Sequence, residues 1–102
     1  MSCIQDRLRK LFPRADPSLL SLLVYSVDLM KMYLEVPGNW TDNLGERLVA
    51  NGGGRYCLLV AYLSMIDLTC ERLYDILPEL VDKILDKCRH TLDRLELSEF
   101  GL

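Results

Sequence analysis

Of the thirteen residues that follow Arg55, from Tyr56 to Leu68, eleven are apolar, with Ser64 and Asp67 as the exceptions. An amphipathic surface helix needs apolar residues only at i, i+3, i+4 and i+7, so a helix that is apolar on nearly every face is buried on nearly every face. A buried strand is the competing reading, because Tyr, Val and Ile favour strands. Length decides against it: strands typically run about 5–6 residues and helices about 11–12. A membrane span would need roughly 20 apolar residues, and no run in the chain is that long. The segment predicts the central post of a helical domain.

The flanking sequence supplies the helices that would bury this post. Ile4, Leu8, Leu11 and Phe12 form a one-sided stripe over residues 3–12 that ends at Pro13. Asp16-Pro17-Ser18 offers an N-cap acceptor with proline in the first turn, where a missing amide donor costs nothing. A very apolar helix from Pro17 to about Glu35 follows. It carries more apolar surface than one core face absorbs, so it is either sandwiched or partly exposed at a self-association surface. Val36-Pro37-Gly38 breaks it, and Asn39 can cap a short helix to about Ala50 with Trp40, Leu44 and Leu48 on one face. From Asp67 the central helix gains Glu71, Arg72 and Asp75, so its end is expected to surface. After Pro78, a stripe of Leu80, Val81, Ile84, Leu85, Cys88, Leu92 and Leu95, preceded by Leu77, marks the last helix. The expected architecture is all-α: a single domain over residues 1–102, a helical bundle of five helices around a buried central hairpin formed by residues 54–74 and 77–95.

Composition limits function. The net charge of −3 argues against nucleic-acid binding, which normally shows a basic face. The bases of residues 1–14 (Arg7, Arg9, Lys10 and Arg14, against Asp6) could meet a membrane surface or an acidic partner, but a solvated helix face is the simpler reading. No apolar run follows them in the manner of a signal peptide, and no membrane anchor is encoded, so the expectation is an intracellular protein. Cys3, Cys57, Cys70 and Cys88 lack framework spacing and read as buried thiols in a reducing compartment.

Catalytic constellations are hard to find, and the chain is read as a non-enzyme without cofactor or metal. His90 lies two residues after Cys88, and residues two apart on a helix do not face each other. No Cys-x-x-Cys or other zinc spacing occurs. The loop Asn51-Gly52-Gly53-Gly54-Arg55 precedes a helix, so its amides could hold an anion, but the lysine and hydroxyl of a nucleotide loop are missing. A tight connection with glycine at positive φ is the simpler reading. Arg55 says more. A cation in the first turn opposes the helix dipole yet stands at the edge of an apolar surface, where its guanidinium suits either a partner's carboxylate or an acid of this chain.

Gly54-Arg55 followed by Val60-Ala61-Tyr62-Leu63-Ser64, then Pro78 with Leu80-Val81-Asp82, and finally Phe100-Gly101, resembles the Bcl-2 family of apoptosis regulators, and particularly its short viral members. The resemblance covers about residues 44–102. Gly52-Gly53 stand where the family usually has Asn-Trp, and the tryptophan of its final motif is absent. The resemblance implies a Bcl-2-like fold and a viral-type inhibitor of apoptosis, acting in the host cytoplasm, that sequesters pro-apoptotic Bcl-2-homology-3 ligand helices in an apolar groove. It makes Arg55 the clamp for a ligand aspartate and Gly54 the point of close backbone approach. Cys57 and Leu58 would line the groove, Leu44 and Leu48 would form its facing wall, and Phe100 would close one end.

Two other readings compete. The apolar excess of residues 19–36 suggests a helical self-association or adaptor domain, and a homodimer is compatible with either function. Leu11-Phe12-Pro13 with Asp16-Pro17 and Leu19-Leu20 resembles the opening of a small ubiquitin-binding helical module of the CUE type.

Overall fold

The computed structural model describes residues 3–39, 41, 43–76 and 78–102. The apolar segment forms helix α4, Arg55–Glu71, with Leu59, Val60, Ala61, Leu63, Ser64, Met65, Asp67 and Leu68 buried. This near-complete burial is possible because other helices pack around α4: α2 (Pro17–Leu34), α3 (Leu44–Ala50), the single turn α5 (Leu73–Ile76) and α6 (Pro78–Arg94). Helix α1 (Cys3–Leu11) lies against α2. Short 3₁₀ turns occupy Pro37–Asn39 and Leu97–Phe100. Among the described residues the fold is an all-α bundle of five helices and one extra turn, without strands. Its radius of gyration is 12.9 Å, as expected for a compact chain of about 100 residues.

Two groups of side chains make the core. Ile4, Leu8 and Phe12 of the N-terminal segment meet Leu23 and Val27 of α2 and Leu59, Val60 and Leu63 of α4. Leu34, Leu44, Met65, Leu68, Val81 and Cys88 form the second group at the other end of α4. The buried Ser64 hydroxyl bonds back to the Val60 carbonyl at 2.6 Å, so a polar group in the core is satisfied within its own helix.

Several expectations need correction. The short helix begins at Leu44 with Asn43 as its N-cap residue. Asn39 belongs instead to the preceding 3₁₀ turn, where its side-chain amide donates to the Tyr33 carbonyl at 2.8 Å. Asp16 stands at the N-cap of α2, yet its carboxylate makes no capping bond. The first arm of the expected hairpin stops at Glu71, and Arg72 leaves helical geometry before α5 begins. Leu11 is exposed while its stripe partners are buried. Along α6, Val81 and Cys88 are buried and Leu85, Leu92 and Leu95 half-buried. Trp40 and Leu77 lie outside the described residues, as do the side chains of Leu80 and Ile84.

Asp67 does not surface. Its carboxylate is 1% exposed and accepts from Arg7 of α1 at 2.5 Å and from Lys31 of α2 at 2.6 Å. Lys31 also reaches Glu71 at 3.0 Å. Burial works to lower the pKa of the Lys31 ammonium, but the hydrogen bonds and charges of Asp67 and Glu71 outweigh it and hold the group above its ordinary value. One carboxylate thus fastens α1 and α2 to α4. The basic N-terminal helix is therefore more than a solvated face, since Arg7 points inward to this acid.

Among the cysteines, Cys88 is buried as expected, Cys70 is not, and the side chain of Cys3 lies outside the described residues. Cys88 is buried beside Met65, with the sulfurs 3.5 Å apart, and burial pushes its thiol up to about 12. Cys57 is half-buried, whereas Cys70 is exposed near the end of α4.

Candidate functional site

The glycine run is built around the end of α3. Gly52 has φ +95°, its amide donates to the Val49 carbonyl at 3.1 Å, and the Gly53 amide donates to the Leu48 carbonyl at 2.9 Å. This pair of bonds is the glycine-dependent cap that satisfies the last carbonyls of a helix. Gly53 is crowded as well: an added Cβ would lie 2.7 Å from the Leu48 oxygen and 2.9 Å from the Cys57 sulfur. Gly54 faces open space. The connection therefore turns α3 sharply onto α4, and two of its amides are committed to capping α3.

Helices α2, α3 and α4 frame a surface recess of about 380 Å³. Ser26, Leu29, Met30 and Tyr33 come from α2, Leu48 from α3, and Tyr56, Cys57 and Val60 from α4. No lining residue is charged. The hydroxyls of Ser26 and Tyr56 face each other at 3.5 Å, so part of the small polar content is turned on itself. Such a cavity takes an apolar side-chain face and orients it with few polar groups.

Leu48 and Cys57 are the two sequence-predicted residues found together in this recess. Leu58 is not with them, because successive helix residues point about 100° apart. It lines a separate depression with Gly45, Val49 and Tyr62. Leu44 lies in the core, 2% exposed, and lines a hollow between α3, α4 and α6 instead of the apolar recess. Its neighbour Gly45 is the reason α3 sits so close: a Cβ there would meet the Tyr62 hydroxyl at 2.3 Å and Leu58 at 2.8 Å. Phe12, the aromatic of the ubiquitin-module resemblance, is also in the core.

Arg55 is half-exposed at the start of α4 and pairs with Glu99 of the C-terminal turn. Its guanidinium also lies over the Phe100 ring, 6.0 Å from the centroid. Phe100 in turn stands 6.4 Å from Tyr56, which lines the recess. Of the two roles open to Arg55, an acid of this chain occupies it here. The missed residues are Tyr56 and Val60 of α4 and all those of α2. Leu29 and Tyr33 are one helical turn apart, and the apolar excess of that segment was the signal that could have placed them at a surface site.

A third hollow, about 320 Å³, lies between α3, α4 and α6 and is lined by polar groups including Thr41, Glu46, Lys87, His90 and Arg94. It shares none of its lining residues with the apolar recess. Comparisons of the chain with protein-family models, with curated proteins and with solved structures give no match. Fold and recess together define an all-α globule that carries an uncharged surface recess between three helices.

Proposed function

We propose that the chain is a helix-binding module of the Bcl-2 type, a viral-type inhibitor of apoptosis that sequesters pro-apoptotic Bcl-2-homology-3 ligand helices. The observation that supports this reading is the recess between α2, α3 and α4, whose lining is uncharged and whose rim is extended by the exposed Leu29 and Tyr33. An amphipathic helix recognises such a surface through apolar anchors at i, i+3, i+4 and i+7. The second support is the resemblance carried by Gly54-Arg55 and the motifs that follow it.

Arg55 would clamp the ligand aspartate by exchanging Glu99 for it. Both members of the internal pair are half-exposed, and such pairs contribute only about 0–1 kcal/mol. Glu99 therefore acts as a weak stand-in for the ligand's carboxylate.

Calorimetric titration with a panel of ligand-helix peptides tests the reading. The expected result is submicromolar binding of at least one peptide, weakened by about tenfold when the peptide aspartate becomes alanine or when Arg55→Ala is used. Glu99→Ala is expected to strengthen binding by a small factor, about 2–5, by removing the competitor. Absence of binding across the panel, by protein shown to be folded, overturns the proposal.

A further inference from the structure

Helix α2 shows solvent a second apolar face. Leu22, Tyr25, Leu29 and Met32 recur at steps of three and four, Val36 continues the spacing just past the helix end, and Tyr33 flanks them. All six are between 40% and 68% exposed. Steps of three and four are the a and d positions of a two-stranded coiled coil. Buried positions of the same helix, Leu23, Val27 and Leu34, face the core, so the stripe is a second seam and not the edge of the first.

We infer that this seam is the interface between two copies of the chain. Clustering is the first argument. Six large apolar side chains, each at least 40% exposed, lie together along one helix face, whereas apolar residues on an ordinary monomer surface are scattered singly. Self-complementarity is the second, because an a/d stripe provides both the knobs and the holes that an identical stripe needs in a two-fold pair. The flanks supply the third. Ser21, Ser26, Asp28 and Glu35 border the seam, and Glu35 is paired with Arg72, so the flanks lack the runs of charge that select a different helix. A lipid surface fits poorly: the lysine of α2, Lys31, is engaged with Asp67 and Glu71, leaving acidic Asp28 beside the stripe, where interfacial helices carry basic residues.

Leu29 and Tyr33 belong to the seam and to the recess alike. Dimer formation therefore covers the rim of the recess, and a ligand helix competes with the second copy. This consequence rests on the proposed function; the dimer does not.

Sedimentation of the full chain over a range reaching high micromolar concentration, without any peptide, is the test. The wild-type chain is expected to dimerise reversibly. Leu22→Glu and Met32→Glu, both outside the recess, are each expected to raise the dissociation constant at least ~30-fold with helical circular dichroism unchanged. Ile76→Glu, an exposed apolar position off the seam, should leave it unaltered. A chain that stays monomeric throughout, or a dimer indifferent to both seam substitutions, overturns the inference. So does a monomer that instead floats with phosphatidylcholine vesicles, since lipid then covers the seam. A seam dimer that binds no peptide sustains the inference and removes only the groove reading.

Discussion

Asp67→Ala is the substitution with the largest expected effect on stability. Removing one member of a buried ion pair typically costs about 3–5 kcal/mol, because the other charge is left without compensation. Two features here reduce that figure. Arg7 is 33% exposed, so its guanidinium can regain water, and Lys31, only 13% exposed, keeps Glu71 at 3.0 Å. The expected loss is therefore about 3 kcal/mol, the low end of that range. A domain of this size has about 5–15 kcal/mol in total, and each kcal/mol moves its midpoint by about 4–8 °C, so the melting temperature should fall by ~12–24 °C. Urea unfolding followed by circular dichroism measures it directly. The double variant Asp67→Leu with Lys31→Met removes both buried charges together. It should recover most of the loss, since well-packed apolar replacements of such pairs are often neutral, and it should depart from additivity by about 1–3 kcal/mol. A loss below about 1 kcal/mol for Asp67→Ala, or strict additivity in the double variant, would refute the view that this carboxylate ties α1 and α2 to α4.

Three further outcomes follow from specific contacts. Gly53→Ala should destabilise by about 1–3 kcal/mol, because its Cβ meets a carbonyl that cannot move without breaking the α3 cap. Gly54→Ala, one residue on and facing open space, should stay within about 0.5 kcal/mol of wild type; equal losses in chemical denaturation would contradict the placement. Among the three cysteines whose side chains are described, thiol labelling of the native chain should modify Cys70 first and Cys88 only on unfolding, which peptide mapping over time would read. Alkaline pH should destabilise the fold. Lys31 titrates above 10.5 in the folded chain, so its contribution is complete below that value and lost as pH rises through the folded pKa. Cys88 adds to the same trend from pH 9.0 towards about 12, where the unfolded thiol ionises and the folded one does not. A stability curve flat from pH 9 to 11 would be inconsistent with the buried Cys88 thiol.

What was legible in the sequence was governed by local periodicity. The all-round apolarity of Tyr56–Leu68 required a buried helix, and the stripes of Ile4, Leu8 and Phe12 and of Val81 and Cys88 required helices that turn one face inward. Pro17 and Pro78 marked helix starts correctly because proline fits a first helical turn whatever the tertiary context. Failures occurred where a distant partner decides. Asp67 resembled a solvent-facing residue because its compensating cations lie 60 and 36 positions away. Asn39 is as good a cap as Asn43 by composition, and only the turn at Pro37–Asn39 diverts its side chain to Tyr33.

The candidate site was harder to read for a related reason. Alignment by motif places residues in order along the chain, whereas a recess selects them by direction around each helix. Cys57 and Leu58 are neighbours in sequence and line different hollows, while Leu44 and Leu48, one turn apart, divide between the core and the recess rim because Gly45 brings the start of α3 hard against Tyr62. The wall that completes the recess comes from α2, whose apolar residues outnumber what one core face can bury. Two demands on that helix explain the excess. Leu23, Val27 and Leu34 serve the core, and Leu22, Tyr25, Leu29 and Met32 form an outward seam. A helix with one partner shows one stripe, and the second stripe on α2 is the feature from which the dimer was inferred. A second copy supplies a matching stripe, and because Leu29 and Tyr33 stand in both the seam and the recess, the two surfaces cannot be fully occupied at once. If both proposals hold, self-association and helix binding are linked through the same two side chains, and a seam variant such as Met32→Glu should expose the recess as it abolishes the dimer.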